Sequence, residues 1–207
     1  MRSAKGAPVS LPDAHLREDR VSTEQAWRGN FLDVRRDTVR LPDGRSTTRE
    51  YIVHPGAVMI VPILDDGGLV VERQWRYPHE RAFIEFPAGK LDAGEDGHVC
   101  AVRELAEETG YRAAEWALAG VLHNAIAYST EAIQIWFARG LQAGVARLDA
   151  GEFLEVQSTT LEALEAQARD GIVTDSKTLI GMLWLRQSRA GHWPLSWQPV
   201  KQAAAAP

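Results

Sequence analysis

The stretch Gly89–Tyr111, GKLDAGEDGHVCAVRELAEETGY, gathers the side chains of this sequence best suited to chemistry, six of them acidic. If RELAEETG is helical, Glu104 and Glu108 stand one turn apart and project their carboxylates from the same face, with Glu107 at its border. Carboxylates crowded on one stripe repel each other, and the arrangement costs stability unless cations neutralise it. All-oxygen ligation suits a hard cation, and Mg2+ takes few protein carboxylates and fills its sphere with water and substrate phosphate oxygens. Taken alone, the same E-x-x-E-E fits a solvated acidic helix face.

The surroundings favour the metal reading. Gly89, five residues, Glu95, seven residues, then Arg103-Glu104-Leu105-x-Glu107-Glu108-x-Gly110-Tyr111 resembles the Nudix box of the Nudix hydrolases at each of its fixed positions. The resemblance implies hydrolysis of a nucleoside diphosphate linked to another moiety, with divalent metal held by the box glutamates. On that likeness Glu104 and Glu108 are the metal ligands and Glu107 is a ligand or a partner of one. Arg103 orients a neighbouring glutamate through a bidentate contact.

Such a helix needs a rigid support. With 207 residues and 45% hydrophobic content, the chain has enough material for one good core and a small appended subdomain. A net charge of −5 and the lack of a basic run interleaved with aromatics argue against a nucleic-acid partner. The single cysteine, Cys100, forms no internal disulfide, which fits a reducing compartment. No apolar run approaches the roughly 18 residues that cross a bilayer, and the N-terminus shows no hydrophobic signal core. A cytoplasmic protein with no membrane partner is expected.

Residues 1–20 are polar and punctuated by Gly6, Pro8 and Pro12, the pattern of a flexible tail, and 199–207 reads as a second one. Residues 21–56 hold three strand-like pieces, WRGNFLDV, DTVRL and REYIV. The tight-turn sequence Leu41-Pro42-Asp43-Gly44 predicts an antiparallel meander. Three strands bury little alone, so this sheet is expected to pack on the main domain or on another subunit. Residues 57–198 form the second domain. AVMIVPIL and LVVERQW flank an Asp-Asp-Gly-Gly turn as a central hairpin, AFIEFPAG leads into the box, and WALAGVL, AIQIWFARGL and FLEVQS follow as strands. Leu161–Arg169 and Asp175–Arg189 carry helical periodicity, the latter capped by Thr174 or Asp175. The fold class expected is α/β, an α/β/α sandwich around a mixed sheet with a small N-terminal antiparallel sheet.

ERQWRYP, FIEFPAGKLDAGED, AYSTE, GEFLEV and DGIVTDSKTL follow the order seen in ADP-ribose pyrophosphatases, a likeness covering roughly residues 27–185. It implies an Ala88 carbonyl as an additional metal ligand and Glu152 as a late ligand or base. It also makes Arg76 a substrate-contacting arginine and Glu85 a pocket residue. Phe31, Arg49 and Glu50 match positions that hold the adenosine end, often from the other subunit of a swapped dimer. The bland readings are a surface salt bridge for Arg76, a solvated loop glutamate for Glu152 and a strand aromatic for Phe31. Glu85, in an apolar strand, needs a partner or a ligand. His123 reads as a packing or hydrogen-bonding residue. Where such enzymes carry a proline, sixteen residues past Gly110, this chain has Ile126, which bears on the substrate.

The resemblance therefore implies Mg2+-dependent cleavage (Mn2+ being the alternative ion) of ADP-ribose or a related nucleoside diphosphate sugar. AMP and ribose 5-phosphate would be the products of a homodimer joined through the N-terminal sheet. The competing readings are a hydrolase of GDP-mannose or of a dinucleotide, and a non-catalytic nucleotide-binding module.

Overall fold

The structure, a computed structural model, describes residues 13–200. Most of the two expected tails lies outside the described residues. Within them, Asp13–His15 is a short 3-10 turn and Asp19 and Arg20 already belong to a strand. The chain divides into two compact units, one ending at Val53 and including Ala127–Ser129, the other holding the rest.

The N-terminal unit is a three-stranded antiparallel sheet, β1 (Asp19–Arg28), β2 (Asp33–Arg40) and β3 (Ser46–Val53), in that order. The expected turn closes β2 onto β3: Gly44 N–H donates to the Leu41 carbonyl at 2.9 Å, and Gly44 takes a φ of 85°, open to glycine at little cost. WRGNFLDV, expected as one strand, is instead a strand end, a turn and a strand start. Gly29 N–H bonds the Leu32 carbonyl at 2.9 Å across the reversal, as a Gly-Asn pair favours. The sheet is tied largely by charge. Arg36 on β2 donates to Glu24 on β1 at 3.1 Å and to Glu50 on β3 at 2.8 Å.

The second unit carries an eight-stranded sheet. Its path is β10 (Leu154–Thr159), β5 (Leu69–Arg76), β4 (Ala57–Ile63), β9 (Ile133–Gln142), β8 (Arg112–Leu122) and β11 (Gln198–Pro199). Two short strands join it, β6 (Arg81–Glu85) on β5 and β7 (Ala88–Lys90) on β4. β4 and β9 run parallel and the other pairs antiparallel, so the sheet is mixed.

The uninterrupted apolar run of β4 follows from burial on both faces. Ala57, Met59 and Val61 enter one core with Leu161 and Leu164 of α2 (Leu161–Arg169) and Met182 and Leu185 of α3 (Ser176–Arg189). Val58 and Ile60 enter the other with Cys100, Ala101 and Leu105 of α1 (Gly97–Thr109). The sheet is thus sandwiched between α1 and the α2–α3 pair, the expected α/β/α arrangement. Of the two caps considered for α3, Asp175 is the one used: its carboxylate accepts from Thr178 N–H at 2.9 Å.

Candidate active site

Helix α1 is fixed at both ends by its own sequence. Asp96 caps the N-terminus, accepting from the backbone N–H groups of His98 at 2.9 Å and Val99 at 3.3 Å, as an N-cap carboxylate should. Gly110 closes the other end at a φ of 76° with its N–H on the Ala106 carbonyl. Between the caps, Cys100, Ala101 and Leu105 face the core, which directs Glu104 and Glu108 along the seam between helix and sheet.

Arg103 organises the helix carboxylates. Its guanidinium donates to Glu95 at 3.0 and 2.9 Å, to Glu104 at 2.8 Å, to Glu107 at 3.0 Å and to the Lys90 carbonyl at 3.3 Å. The bidentate partner is Glu95, not a helix glutamate; Glu104 and Glu107 each take one contact. Hydrogen bonding to Arg103 holds the Glu95 carboxyl down to about 2. Glu104 shifts the other way, upward, because burial outweighs the favourable charge of Arg103.

Glu108 is buried, 4% exposed, and accepts from Ala88 N–H at 3.0 Å. That bond sets the backbone of β7 against the carboxylate. Burial first, then the charges of Glu72 and Glu104, push the Glu108 carboxyl well above the usual range. Glu152, half-buried in the loop before β10, adds its charge to Glu72, Glu104 and Glu108. The loop glutamate and the helix therefore share one electrostatic neighbourhood.

Beside them lies a second charged group. Arg76, at the end of β5, makes a bidentate pair with Glu85 of β6 at 2.7 and 2.8 Å, and Lys177 at the start of α3 bonds the same carboxylate and Asp175. Burial would raise the Glu85 carboxyl, but Arg76 and Lys177 together hold it below its ordinary value. A cleft of about 290 Å³ opens here, lined by Arg76, Pro78, His79, Phe83, Glu85, Asp175 and Lys177. Fixed cations beside a carboxylate in a cleft suit a polyanionic ligand with hydroxyl groups.

Phe31, Arg49 and Glu50 belong to the N-terminal unit. Phe31 is exposed in the β1–β2 turn. Arg49 and Glu50 are consecutive on β3 and so point to opposite faces, Arg49 paired with Glu18 at 3.0 Å and Glu50 with Arg36 at 2.8 Å. Ile126 is exposed, and Glu131 stands 3.5 Å from His54.

Two residues escaped the reading of the sequence. Lys177 carried no signal beyond its place near the helix start. Glu72 did carry one, a lone carboxylate in LVVERQW, which is now seen 1% exposed opposite Glu85 in the β5–β6 register.

Among the described residues no group of three or more histidine, cysteine, aspartate or glutamate side chains is spaced to hold a metal ion as it stands. A Mg2+ site does not need such a cage, since water and phosphate oxygens complete its sphere. The donor set fits a hard cation: oxygen ligands only, raised carboxyls on the half-buried Glu104 and the buried Glu108, and a Glu72 Oε2 buried without a hydrogen-bond partner.

A helix carrying clustered carboxylates on an α/β/α sandwich, beside an Arg–Glu–Lys cleft, is an arrangement whose donor types suit a hard cation and a phosphate-bearing ligand. Comparison with known proteins makes this specific. Residues 53–180 match the NUDIX domain, and residues 18–52 match the nucleoside diphosphate sugar hydrolase N-terminal domain. The chain belongs to the NUDIX family. It is 36% identical over 177 residues to a methanol dehydrogenase activator of Bacillus methanolicus, covering 84% of this chain and 95% of the relative. It is 34% identical over 177 residues to an ADP-ribose pyrophosphatase of Bacillus subtilis (strain 168), covering 84% and 96%. A crystal structure of an ADP compounds hydrolase superposes with a TM-score of 0.77 at 25% identity, covering 85% of this chain and 96% of the other.

Proposed function

We propose that this protein hydrolyses the diphosphate bond of ADP-ribose or a related nucleoside diphosphate sugar in a Mg2+-dependent reaction, releasing AMP and ribose 5-phosphate. The observation that supports the proposal is the shared electrostatic neighbourhood of Glu104, Glu108 and Glu152, with the Arg76–Glu85–Lys177 cleft linked to it through Glu72. The names of two relatives support the substrate class, an ADP-ribose pyrophosphatase and an ADP-sugar pyrophosphatase of Mus musculus.

Glu104, Glu108, Glu152 and the Ala88 carbonyl would hold the cation, or Mn2+ in its place, with Glu107 close by. When bound, it offsets the repulsion between diphosphate and attacking water and makes that water more acidic. Arg103 keeps the helix glutamates in place. Arg76 binds phosphate oxygens, and Glu85 accepts hydrogen bonds from the sugar hydroxyls. Glu152, or a glutamate of the helix, takes the proton as the water oxygen bonds to phosphorus. The bridging P–O bond breaks, leaving one phosphate on each product.

In this reading residues 57–198 are the catalytic domain, and residues 21–56 the sheet through which two copies pair. The N-terminal sheet of the second copy brings Phe31, Arg49 and Glu50 to the adenosine end. Support comes from β1, all ten of whose residues are exposed, including Val21 and Trp27, a surface that a second copy would cover. Cytoplasmic location accords with a buried, unpaired Cys100. Among the described residues no helix is long and apolar enough to cross a membrane.

The test is a panel of ADP-ribose, GDP-mannose, NADH and diadenosine phosphates with Mg2+, products identified by chromatography. ADP-ribose or another ADP-sugar should be preferred; preference for GDP-mannose or a dinucleotide would sink the substrate assignment.

A further inference from the structure

We infer that Glu72 is a further carboxylate ligand of the divalent-cation site, brought from the sheet to face the glutamates of α1. The inference rests on the proposed metal-dependent reading and adds a residue lying outside the box motif, on a different element.

Strand alternation sets its direction. Leu69 and Val71 enter the core on the α2–α3 side of the sheet, so Glu72 projects to the opposite side, the side of α1. On β6 the same parity holds: Ile84 packs against the α2–α3 core, and Glu85, paired in register with Glu72, projects from the other face. Glu85 has Arg76 and Lys177, whereas Glu72 is 1% exposed and its Oε2 has no hydrogen-bond partner.

A buried oxygen of this kind is costly unless a proton or a cation meets it. The two cations whose charge reaches Glu72, Arg76 and Lys177, are both bonded to Glu85. The groups acting on Glu72 include Glu85 and Glu152, and Glu72 is in turn the strongest charge acting on Glu108. Two buried carboxylates thus act on each other, and the one on β5 carries an oxygen without a hydrogen-bond partner, which a shared cation would satisfy.

The test is Mn2+ binding to the full chain without substrate, followed by the electron paramagnetic resonance signal of free Mn2+, in wild type, Glu72→Gln and Glu108→Gln. Both variants should bind about tenfold or more weakly, the scale on which supporting groups of a metal site act. Metal-free Glu72→Gln should melt no lower than metal-free wild type, because the substitution removes only an unsatisfied acid. Wild-type affinity in Glu72→Gln overturns the inference. So does a metal-free Glu72→Gln that melts well below wild type, which would make the carboxyl a structural group of the core. Should the chain bind Mn2+ through Glu72 yet cleave no nucleoside diphosphate, the functional reading fails while this assignment stands.

Discussion

The carboxyl of Glu104 fills the space into which a side chain at Gly89 would grow. A Cβ there would fall 1.9 Å from both its Cδ and its Oε1. The glycine that opens the box thus leaves the space that the glutamate fifteen positions later occupies, through a contact between β7 and α1, and a side chain there would push that carboxylate aside. Gly89→Ala should displace the Glu104 carboxylate while leaving the cores intact. Hydrolysis should drop about a hundredfold, the effect expected of a misplacement on the order of 1 Å, with little change in Tm. An active Gly89→Ala would show that Glu104 works from a different position.

Arg103 links Glu95, Glu104 and Glu107 in one fork, a geometry that a lysine ammonium does not reproduce. Arg103→Lys should keep the charge and still lose about 10–100-fold in metal affinity or activity. Titrating the variant with Mg2+ separates the two: excess Mg2+ should restore part of the rate. Wild-type kinetics in Arg103→Lys would reduce the fork to a surface ion pair.

The pH dependence of stability follows from the two buried acids. Burial, then the charges of Glu72 and Glu104, push the Glu108 carboxyl well above the usual carboxylate range, and burial with the charge of Glu85 pushes Glu72 the same way. A raised acid favours the folded state while both states are protonated, and that contribution fades as pH climbs through the folded values. Metal-free protein should therefore melt progressively lower as pH climbs from about 5 into the alkaline range, and added Mg2+ should recover the loss at the alkaline end. Glu95, held down to about 2 by Arg103, works oppositely: its contribution is present above the usual carboxylate range and disappears as pH falls toward 2. A melting temperature independent of pH between roughly 6 and 9 in EDTA, inside that window, would count against the carboxylate cluster.

Arg76→Ala leaves Glu85 with Lys177 alone. The buried carboxylate loses two charge-assisted hydrogen bonds, which should cost about 1–3 kcal/mol in unfolding experiments. Catalytically, KM for the nucleotide sugar should rise more than kcat falls, because the lost contacts are to ground-state phosphate. A pure kcat effect would place Arg76 on the transition state instead.

The box helix was legible because its carboxylates stand one turn apart within a fixed pattern, and β4 because a short apolar run ahead of an Asp-Asp-Gly-Gly turn fits a strand buried on both faces. β1 was misplaced for the opposite reason. Its ten exposed residues show no alternation of apolar and polar, since hydrogen bonds and ion pairs to β2 hold it. The AFIEFPAG segment divides into β6 and β7 around Phe86-Pro87, where Phe86 N–H bonds Thr178 Oγ1 at 3.1 Å, a tertiary contact without a local signature. Glu72 and Lys177 join the site only through strand register and the position of α3. Neither is written in local sequence, although a carboxylate within an apolar strand was a cue.

The most direct measurement compares wild type and Glu108→Gln on ADP-ribose with Mg2+, products resolved by chromatography. The account predicts AMP and ribose 5-phosphate in equal amounts from wild type, and a kcat lower by orders of magnitude in the variant with its fold unchanged. Equal rates in the two proteins, or no AMP from wild type, would contradict it.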